Sequence, residues 1–420
     1  MGFSGLKVNV LLTGVQLKKA GLAIAAIPYF TFFAWYYIFS YYILSFLLEK
    51  MTGIFYIYNA SFNLLISLTL VLSCSFIRRI DKTSLIYAWS ILSSVGTIYM
   101  ILAPTDTLKL TTYLLLGVVF GIGLLAFLSF FWDLTVAEER GRVAGSIGVI
   151  FLPVCSLFIA LAASLDLCGT ATLCILLNLG TLAIKQLNTG RRPMLKERED
   201  VREYNPEKRT IALYLIPWTV FSFINATLTS SFSLYVTQHS PPSHQLFLMT
   251  LQVVGGGLGA LVGGVLADFF GRRLSLAAGL TLYGVSSAIS GLTESYELLY
   301  LAFIGTGLTW GILMTVCLFV IWGDLATAKT CERRYSVGLA IFYLAASLGS
   351  LLSHELVRIP LMSAAIISCL LIFLSNIPLI LAPELLSTDF REEVRIKLYV
   401  SLVRKIAKSR KSIAGQSRKC

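Results

Sequence analysis

The chain has 420 residues, of which 56% are hydrophobic and 13% are charged, and its formal net charge is +12 at pH 7. Soluble domains carry about 25% charged residues, so this composition excludes an ordinary soluble protein and is typical of a polytopic membrane protein. The excess of Lys and Arg falls between the apolar stretches and in the C-terminal tail, so it indicates contact with anionic lipid headgroups and not with nucleic acid.

Twelve apolar stretches of membrane length follow one another along the chain. They predict transmembrane helices at 21–48, 53–76, 84–103, 110–132, 143–164, 169–185, 210–236, 246–267, 274–293, 298–323, 335–353 and 360–382. Each is close to the roughly 20 residues that a helix needs to cross the hydrocarbon core, and none alternates as the strands of a β-barrel do. The predicted fold class is therefore an all-α integral membrane protein with twelve transmembrane helices.

Lys and Arg are divided unevenly between the two sides of this topology. The N-terminal segment 1–20, five alternate connections and the C-terminal tail 383–420 together hold 30 of the 34 basic residues, and Lys185, the last residue of the sixth predicted span, adds one more on the same side. Cytoplasmic loops retain positive charge, so the pattern predicts a multi-pass protein of the cytoplasmic membrane with both termini in the cytoplasm. The basic tail is predicted to lie along the anionic cytoplasmic leaflet.

The two groups of six spans repeat each other on either side of a charged connection. The predicted domains are bundles at 21–185 and 210–382, joined by the cytoplasmic loop 186–209. WDLTVAEERGRVAG (Trp132–Gly145) follows span four, and the similar WGDLATAKTCERRYSVG (Trp322–Gly338) follows span ten. A repeat at half the chain length with the same orientation predicts a pseudo-two-fold axis along the membrane normal.

The sharpest motif is GGVLADFFGRRLSL, from Gly263 to Leu276, between spans eight and nine. Gly271 permits a tight turn, and Asp268 can accept hydrogen bonds from a helix N-terminus. Arg272 and Arg273 would hold the turn at the cytoplasmic surface. A simple turn carrying two cytoplasmic arginines is the structural alternative.

This loop resembles the signature loop of the major facilitator superfamily, of the form G-x-L-A-D-x-x-G-R-[RK]-x-x-[LI]. The resemblance implies a transporter fold of two six-helix bundles that rock about a central site. It also implies that the loop acts as a latch between the halves, with Asp268 in contact with the start of span five around Arg142 to Gly145. The corresponding first-half loop, SFIRRIDKTSL (Ser75–Leu85), departs from the pattern, because Ile77 stands opposite Asp268 and no glycine is present.

Charged residues at the cytoplasmic ends of the spans form a second candidate group. They are predicted either to exchange ion pairs during opening and closing, or to be ordinary helix-end charges. The predicted charge cluster consists of Asp133, Glu139, Arg140, Asp324, Glu332 and Arg333.

Neutral polar and aromatic residues are the candidates for a substrate cavity, because the interiors of the predicted spans contain no Asp, Glu, Lys, Arg or His. These side chains would line a central path, and hydrogen bonding between helices is the alternative for the amides. The predicted cavity residues are Asn59, Asn63, Tyr36, Asn225, Gln252 and Trp310.

The predicted function is transport of a small uncharged or amphiphilic solute by alternating access. A proton-coupled symporter of a nutrient and a non-transporting receptor on the same scaffold are the alternatives. No cofactor or metal site is predicted and no enzymatic activity, since the chain contains no phosphate-binding loop and no metal-ligand spacing. The expected partners are the solute, the lipid bilayer and, for the symporter, a proton; nucleic acid is not expected, and the protein is expected to be a monomer. A disulfide between Cys168 and Cys174 is left open.

Overall fold

The computed structural model describes residues 19–50, 55–165, 167–182, 207–239, 241–292, 296–356, 359–386 and 396. Most of the predicted N-terminal segment, central loop and tail lie outside these ranges. The described residues form twelve membrane-length or near-membrane-length helices and no strand. They are α1 (Lys19–Lys50), α2 (Phe55–Ile77), α3 (Lys82–Leu102), α4 (Asp106–Leu134), α5 (Arg140–Ser164), α6 (Leu167–Leu179), α7 (Lys208–His239), α8 (Pro242–Phe270), α9 (Arg272–Ser290), α10 (Tyr296–Met314), α11 (Cys331–Leu356) and α12 (Leu361–Ser375).

The helices confirm the predicted all-α membrane architecture, and one helix corresponds to each predicted span. Ten of them are long and apolar enough to cross a membrane by length and composition. The other two are α6, which has 13 residues before a short 3₁₀ turn (Gly180–Leu182), and α9, which opens on two arginines. Many large apolar side chains face outward, such as Leu72 at 78% exposure, as expected of a surface that contacts lipid.

Local chemistry explains where several helices begin. Asp81 caps α3 by accepting the Ser84 N–H at 2.9 Å, and Thr105 caps α4 by accepting the Leu108 N–H at 3.4 Å. Partial burial acts to raise the pKa of Asp81, but hydrogen bonds from Thr83 and Ser84 outweigh it and bring this pKa below its usual value. The carboxylate that makes these bonds is thus kept ionised in the loop before α3.

Helix α10 changes its hydrogen-bond pattern part of the way along. After Met314 it continues as a π-helix over Thr315–Ile321 and ends in an α-helical turn at Trp322–Asp324. Every residue of the π-helical stretch is buried. A π-helix has more residues per turn than an α-helix, so it rotates the side chains that follow it relative to a regular helix.

Two seams join the N-terminal helices α1–α6 to the C-terminal helices α7–α12. Along the α2–α11 seam, the Ser67 hydroxyl donates to the Ala340 carbonyl and the Ser336 hydroxyl to the Leu70 carbonyl, each at 2.8 Å. The α5–α8 seam is built from glycine, and a Cβ added to Gly264 would collide with backbone of α5. Small residues let two helix backbones approach closely, and the α5–α8 seam has this close packing.

The α6 geometry answers the question of the cysteine pair. Cys168 and Cys174 both belong to α6, and six residues of helix separate two Cα atoms by about 9 Å. A disulfide requires Cα atoms within about 7 Å, so the helical backbone of α6 does not have the spacing for this bond. Cys174 is a free, buried thiol.

Candidate functional site

Six of the seven ion pairs between described residues lie at one end of the molecule. We call this end the basic face and define it by the α2–α3, α4–α5, α8–α9 and α10–α11 connections, which all lie there. It is the end that the sequence predicts to be cytoplasmic.

Asp268 reaches from the last turn of α8 to the first turn of α5, in the other half. Its carboxylate accepts the backbone N–H of Gly141 at 3.2 Å and of Arg142 at 2.8 Å, and the Arg142 Nε at 3.2 Å. The side chain of Asp268 is completely buried. The first N–H groups of a helix have no partner within it, so a buried carboxylate there is well matched to α5.

Arg272 connects this contact to α10. Its guanidinium, also fully buried, donates to Asp268 at 3.1 Å and to Asp324 at 2.7 Å. It further donates to the Ala267 carbonyl at 2.5 Å and to the Ala137 carbonyl in the α4–α5 connection. Arg272 bonds to residues of both halves. If the two halves moved apart at the basic face, this buried cation would lose some of its partners.

Asp324 is shared with the other half. Its second carboxylate oxygen pairs with the Arg140 guanidinium at the start of α5, and both side chains are 4% exposed. At the neighbouring residue, the Gly323 carbonyl of α10 accepts a hydrogen bond from the Trp132 indole N–H of α4 at 2.8 Å. The Arg140 guanidinium also lies 5.9 Å from the Trp132 ring centre. These contacts tie the ends of α4 and α5 to the end of α10.

The first-half loop closes differently. Lys82, at the start of α3, pairs with Asp133 of its own half at 2.8 Å and with Glu332 of α11 in the other half at 3.2 Å. Ile77, which stands in the position equivalent to Asp268, is fully buried and offers no carboxylate. A lysine therefore carries the charged contact between halves in this loop.

The predicted charge cluster is thus brought together in large part. Asp133, Arg140, Asp324 and Glu332 take part in ion pairs at the basic face. Glu139 lies directly before α5 and is buried, with 2% of its surface exposed. Arg333 is exposed and contributes to none of the ion pairs between described residues.

An aromatic layer lies next to the ion pairs, towards the middle of the bundle. Phe319, from the π-helical part of α10, stacks on Tyr29 of α1 with ring centres 5.3 Å apart. It meets Phe131 and Phe127 of α4 edge-on at 5.0 and 6.2 Å. A ring from the C-terminal half is thereby in contact with three rings of the N-terminal half.

The predicted cavity amides have identifiable partners. Asn59 donates to the Ser350 hydroxyl across the α2–α11 seam at 2.6 Å, and Asn63 donates to the Asn59 carbonyl at 2.8 Å. Asn225 accepts from the Tyr283 hydroxyl of α9, within its own half, at 3.2 Å. These contacts favour the helix-packing alternative for Asn225 and place Asn59 at the joint between the halves.

The aromatic cavity candidates are half-buried. The Tyr36 ring stacks on Phe120 of α4 with centres 4.9 Å apart, and Phe120 in turn meets Tyr343 of α11 at 6.3 Å. Trp310 packs against the main apolar core, and Gln252 is half-buried on α8. Tyr36 is thus connected through the Phe120 ring to an aromatic ring of the other half.

Sequence reasoning overlooked Glu384, which follows a short helix (Ile377–Leu381) that comes after α12. Its carboxylate accepts the backbone N–H of Arg272 at 2.7 Å and of Arg273 at 3.2 Å. A glutamate directly after the last span was a weak signal, because nothing in one sequence indicates which loop it will meet. Among the described residues, no group of three or more His, Cys, Asp or Glu side chains is arranged to hold a metal ion.

Comparison with known proteins adds three findings. The family model of the Major Facilitator Superfamily matches residues 210–414. The lincomycin resistance protein of Streptomyces lincolnensis is 39% identical over 129 residues, which amount to 29% of this chain and 27% of that protein. The chain therefore matches only about a quarter of the length of this relative. The crystal structure of the human organic anion transporter MFSD10 (TETRAN) has a TM-score of 0.69 and 12% identity, with 88% of this chain and 99% of that one covered, which shows a shared fold.

Proposed function

Because this chain belongs to the Major Facilitator Superfamily, a family of membrane transporters, we propose that it moves a small amphiphilic or uncharged solute across the membrane by alternating access. One observation carries the proposal. The two halves are joined at the basic face by charged contacts that can be broken and remade, while their interior contact is aromatic.

The basic-face contacts have the character of a gate. Three contacts connect one half to the other. Asp268 accepts backbone hydrogen bonds from the start of α5, Arg140 forms an ion pair with Asp324, and Lys82 forms one with Glu332. Ion pairs that change partners are a common way for packed bodies to have two stable arrangements. The described conformation is the one closed at the basic face, and the cycle requires a second one in which these pairs are separated.

The interior chemistry supports the substrate class. Tyr36, Phe120 and Tyr343 meet between α1, α4 and α11, and they offer apolar ring faces and phenol hydroxyls. Within the described spans, the cationic side chains lie at helix ends, as Lys82 and Arg140 do. Such surroundings suit a solute with apolar area and few charges. Similarity to a lincomycin resistance protein makes an antibiotic of that kind the first compound to test, with export as the proposed direction.

The Lys82 contacts favour one second candidate, a proton-coupled cycle. Asp133 and Glu332 come from opposite halves and share a single ammonium group. Opening of the basic face would leave one of the two carboxylates without its cation, and a carboxylate in that position can take up a proton.

Flux into proteoliposomes tests the proposal. The full-length protein would be reconstituted and the uptake of radiolabelled lincomycin followed at equal pH, and again with an inside-acid gradient. We expect uptake that exceeds that of protein-free vesicles and is lost in a Tyr36→Ala Tyr343→Ala variant. Uptake that needs the gradient would favour the coupled cycle. No uptake of lincomycin or of a panel of neutral, cationic and anionic amphiphiles would contradict transport.

A further inference from the structure

The turn between α8 and α9 does not cap its own helix. Gly271 is the single residue between the two helices, with φ at +107°, and it has no side chain to bond the first N–H groups of α9. Those groups begin at Arg272, whose guanidinium joins the two halves. The first turn of α9 therefore depends on an acceptor from elsewhere in the molecule.

Glu384 supplies that acceptor. Its two carboxylate oxygens accept the Arg272 N–H at 2.7 Å and the Arg273 N–H at 3.2 Å. The same carboxylate accepts the backbone N–H of Leu385 at 3.1 Å and of Leu386 at 3.3 Å, so its own turn is ordered with it. A carboxylate at a helix N-terminus is favoured both by the free N–H groups and by the helix dipole.

Neighbouring contacts hold Glu384 in this place. The Tyr214 hydroxyl of α7 donates to the Pro383 carbonyl at 2.8 Å, and the Arg273 guanidinium donates to the Ala382 carbonyl at 3.2 Å. The two residues before the glutamate are thus attached to α7 and to α9. The Glu384 carboxylate has little freedom to leave the turn.

We propose that Glu384 is a positioning residue of the latch: it fixes the first turn of α9 so that the Arg272 guanidinium faces Asp268 and Asp324 at the same time. The inference rests on the proposed function, since it assigns Glu384 to the gate of the transporter. Without the cap, the first turn of α9 frays and Arg272 no longer meets both carboxylates at 3.1 and 2.7 Å. The closed basic face then becomes less populated.

A native thiol reports on this equilibrium without any substrate. Cys331 begins α11 at the basic face and is 1% exposed in the closed arrangement. Its rate of modification by N-ethylmaleimide in the full-length, reconstituted protein would be read by mass spectrometry of its peptide. A Cys331→Ser variant identifies that signal against the other cysteines.

We expect Glu384→Ala to increase the Cys331 modification rate about fivefold, the ratio that corresponds to loss of a helix cap of about 1 kcal/mol. Glu384→Gln keeps an amide oxygen that can accept one N–H but loses the charge, so its rate should lie between wild type and Glu384→Ala. Glu297→Ala, which removes a glutamate from the first turn of α10 at the opposite face, is the matched control and should equal wild type.

Each result decides the proposal. A Cys331 rate for both Glu384 variants within twofold of wild type would overturn it, and so would an equal rise in Glu297→Ala. A lower melting temperature without faster modification would assign Glu384 to general stability and also overturn the positioning role. If Glu384→Ala does not fold, Glu384→Gln alone carries the comparison. Absence of flux with altered Cys331 modification would remove the transport function only, because the thiol readout needs no solute.

Discussion

The two loops at equivalent positions of the repeat, α8–α9 and α2–α3, join the halves by different chemistry. In α8–α9, a fully buried carboxylate bonds backbone N–H groups of α5, and a fully buried arginine holds it. In α2–α3, Arg78 and Arg79 are exposed, Ile77 fills the place of the carboxylate, and Lys82 at 17% exposure makes the contact with α11.

Both loops thus hold the two halves together, but solvent weakens the charged contact of α2–α3 more than that of α8–α9. A buried charge that loses its partner costs several kcal/mol, whereas a partly exposed ion pair is worth about 1 kcal/mol or less and is screened by salt. We therefore expect the α8–α9 loop to dominate closure of the basic face and the α2–α3 loop to adjust it.

The largest effect is expected at Asp268. Asp268→Asn removes the charge that neutralises Arg142 and Arg272, and breaking a buried pair of this kind costs about 3–5 kcal/mol. Cys331 modification should accelerate by at least a hundredfold, and transport should fall while binding of a transported solute, read by thermal shift, is retained. Asp106→Asn at the opposite face is the control. Normal flux and modification in Asp268→Asn would refute the dominance of this loop.

A smaller effect is expected at Gly271. Its φ of +107° is strained for any side chain, and a Cβ there would collide with the Glu384 carboxylate. Gly271→Ala should weaken closure by about 1–3 kcal/mol. Gly180→Ala is the matched control, because its Cβ would meet only Thr31 at an ordinary 3.8 Å. Equal melting temperatures and Cys331 rates for the two variants would show that the turn tolerates a side chain.

A substitution of Lys82 tests the contribution of the α2–α3 loop. Lys82→Met keeps the length of the side chain but removes the ammonium that Asp133 and Glu332 share. We expect a change of about 1 kcal/mol, which is a fivefold faster Cys331 modification at low ionic strength. The difference from wild type should shrink in about 1 M salt, where the screening length is about 3 Å. An effect as large as that of Asp268→Asn, and indifferent to salt, would show that the two loops are equivalent.

The smallest effect is expected at Asn225, away from both loops. Asn225→Ala removes one hydrogen bond to Tyr283 within the C-terminal half, and such bonds in membrane proteins average about 0.6 kcal/mol. A slight loss of thermal stability should appear, with the solute-induced thermal shift unchanged. A large change in that shift would instead return Asn225 to the substrate cavity.

Several features of the fold were predictable because they depend on local composition. The positions of the helices follow from the length of apolar stretches. The contact of Asp268 with the start of α5 was implied only by the resemblance of its loop to a family signature. The unequal first-half loop was visible in the residues themselves, since the side chain of Ile77 has no hydrogen-bond acceptor. Partners in the same helix or turn lie within a few residues, so a sequence pattern can reveal them.

Contacts between distant elements were decided by the tertiary structure. Glu384 meets a turn 112 residues earlier, and Lys82 meets Glu332 across the molecule. The π-helical stretch of α10, which carries Phe319 into a cage of aromatic rings, had no signal in its apolar sequence. The sequence by itself determined the number of spans, because burial in lipid requires long apolar helices whatever their neighbours. The tertiary structure decided which charges share a partner, because a side chain in a helix end can reach several elements, and only packing selects among them.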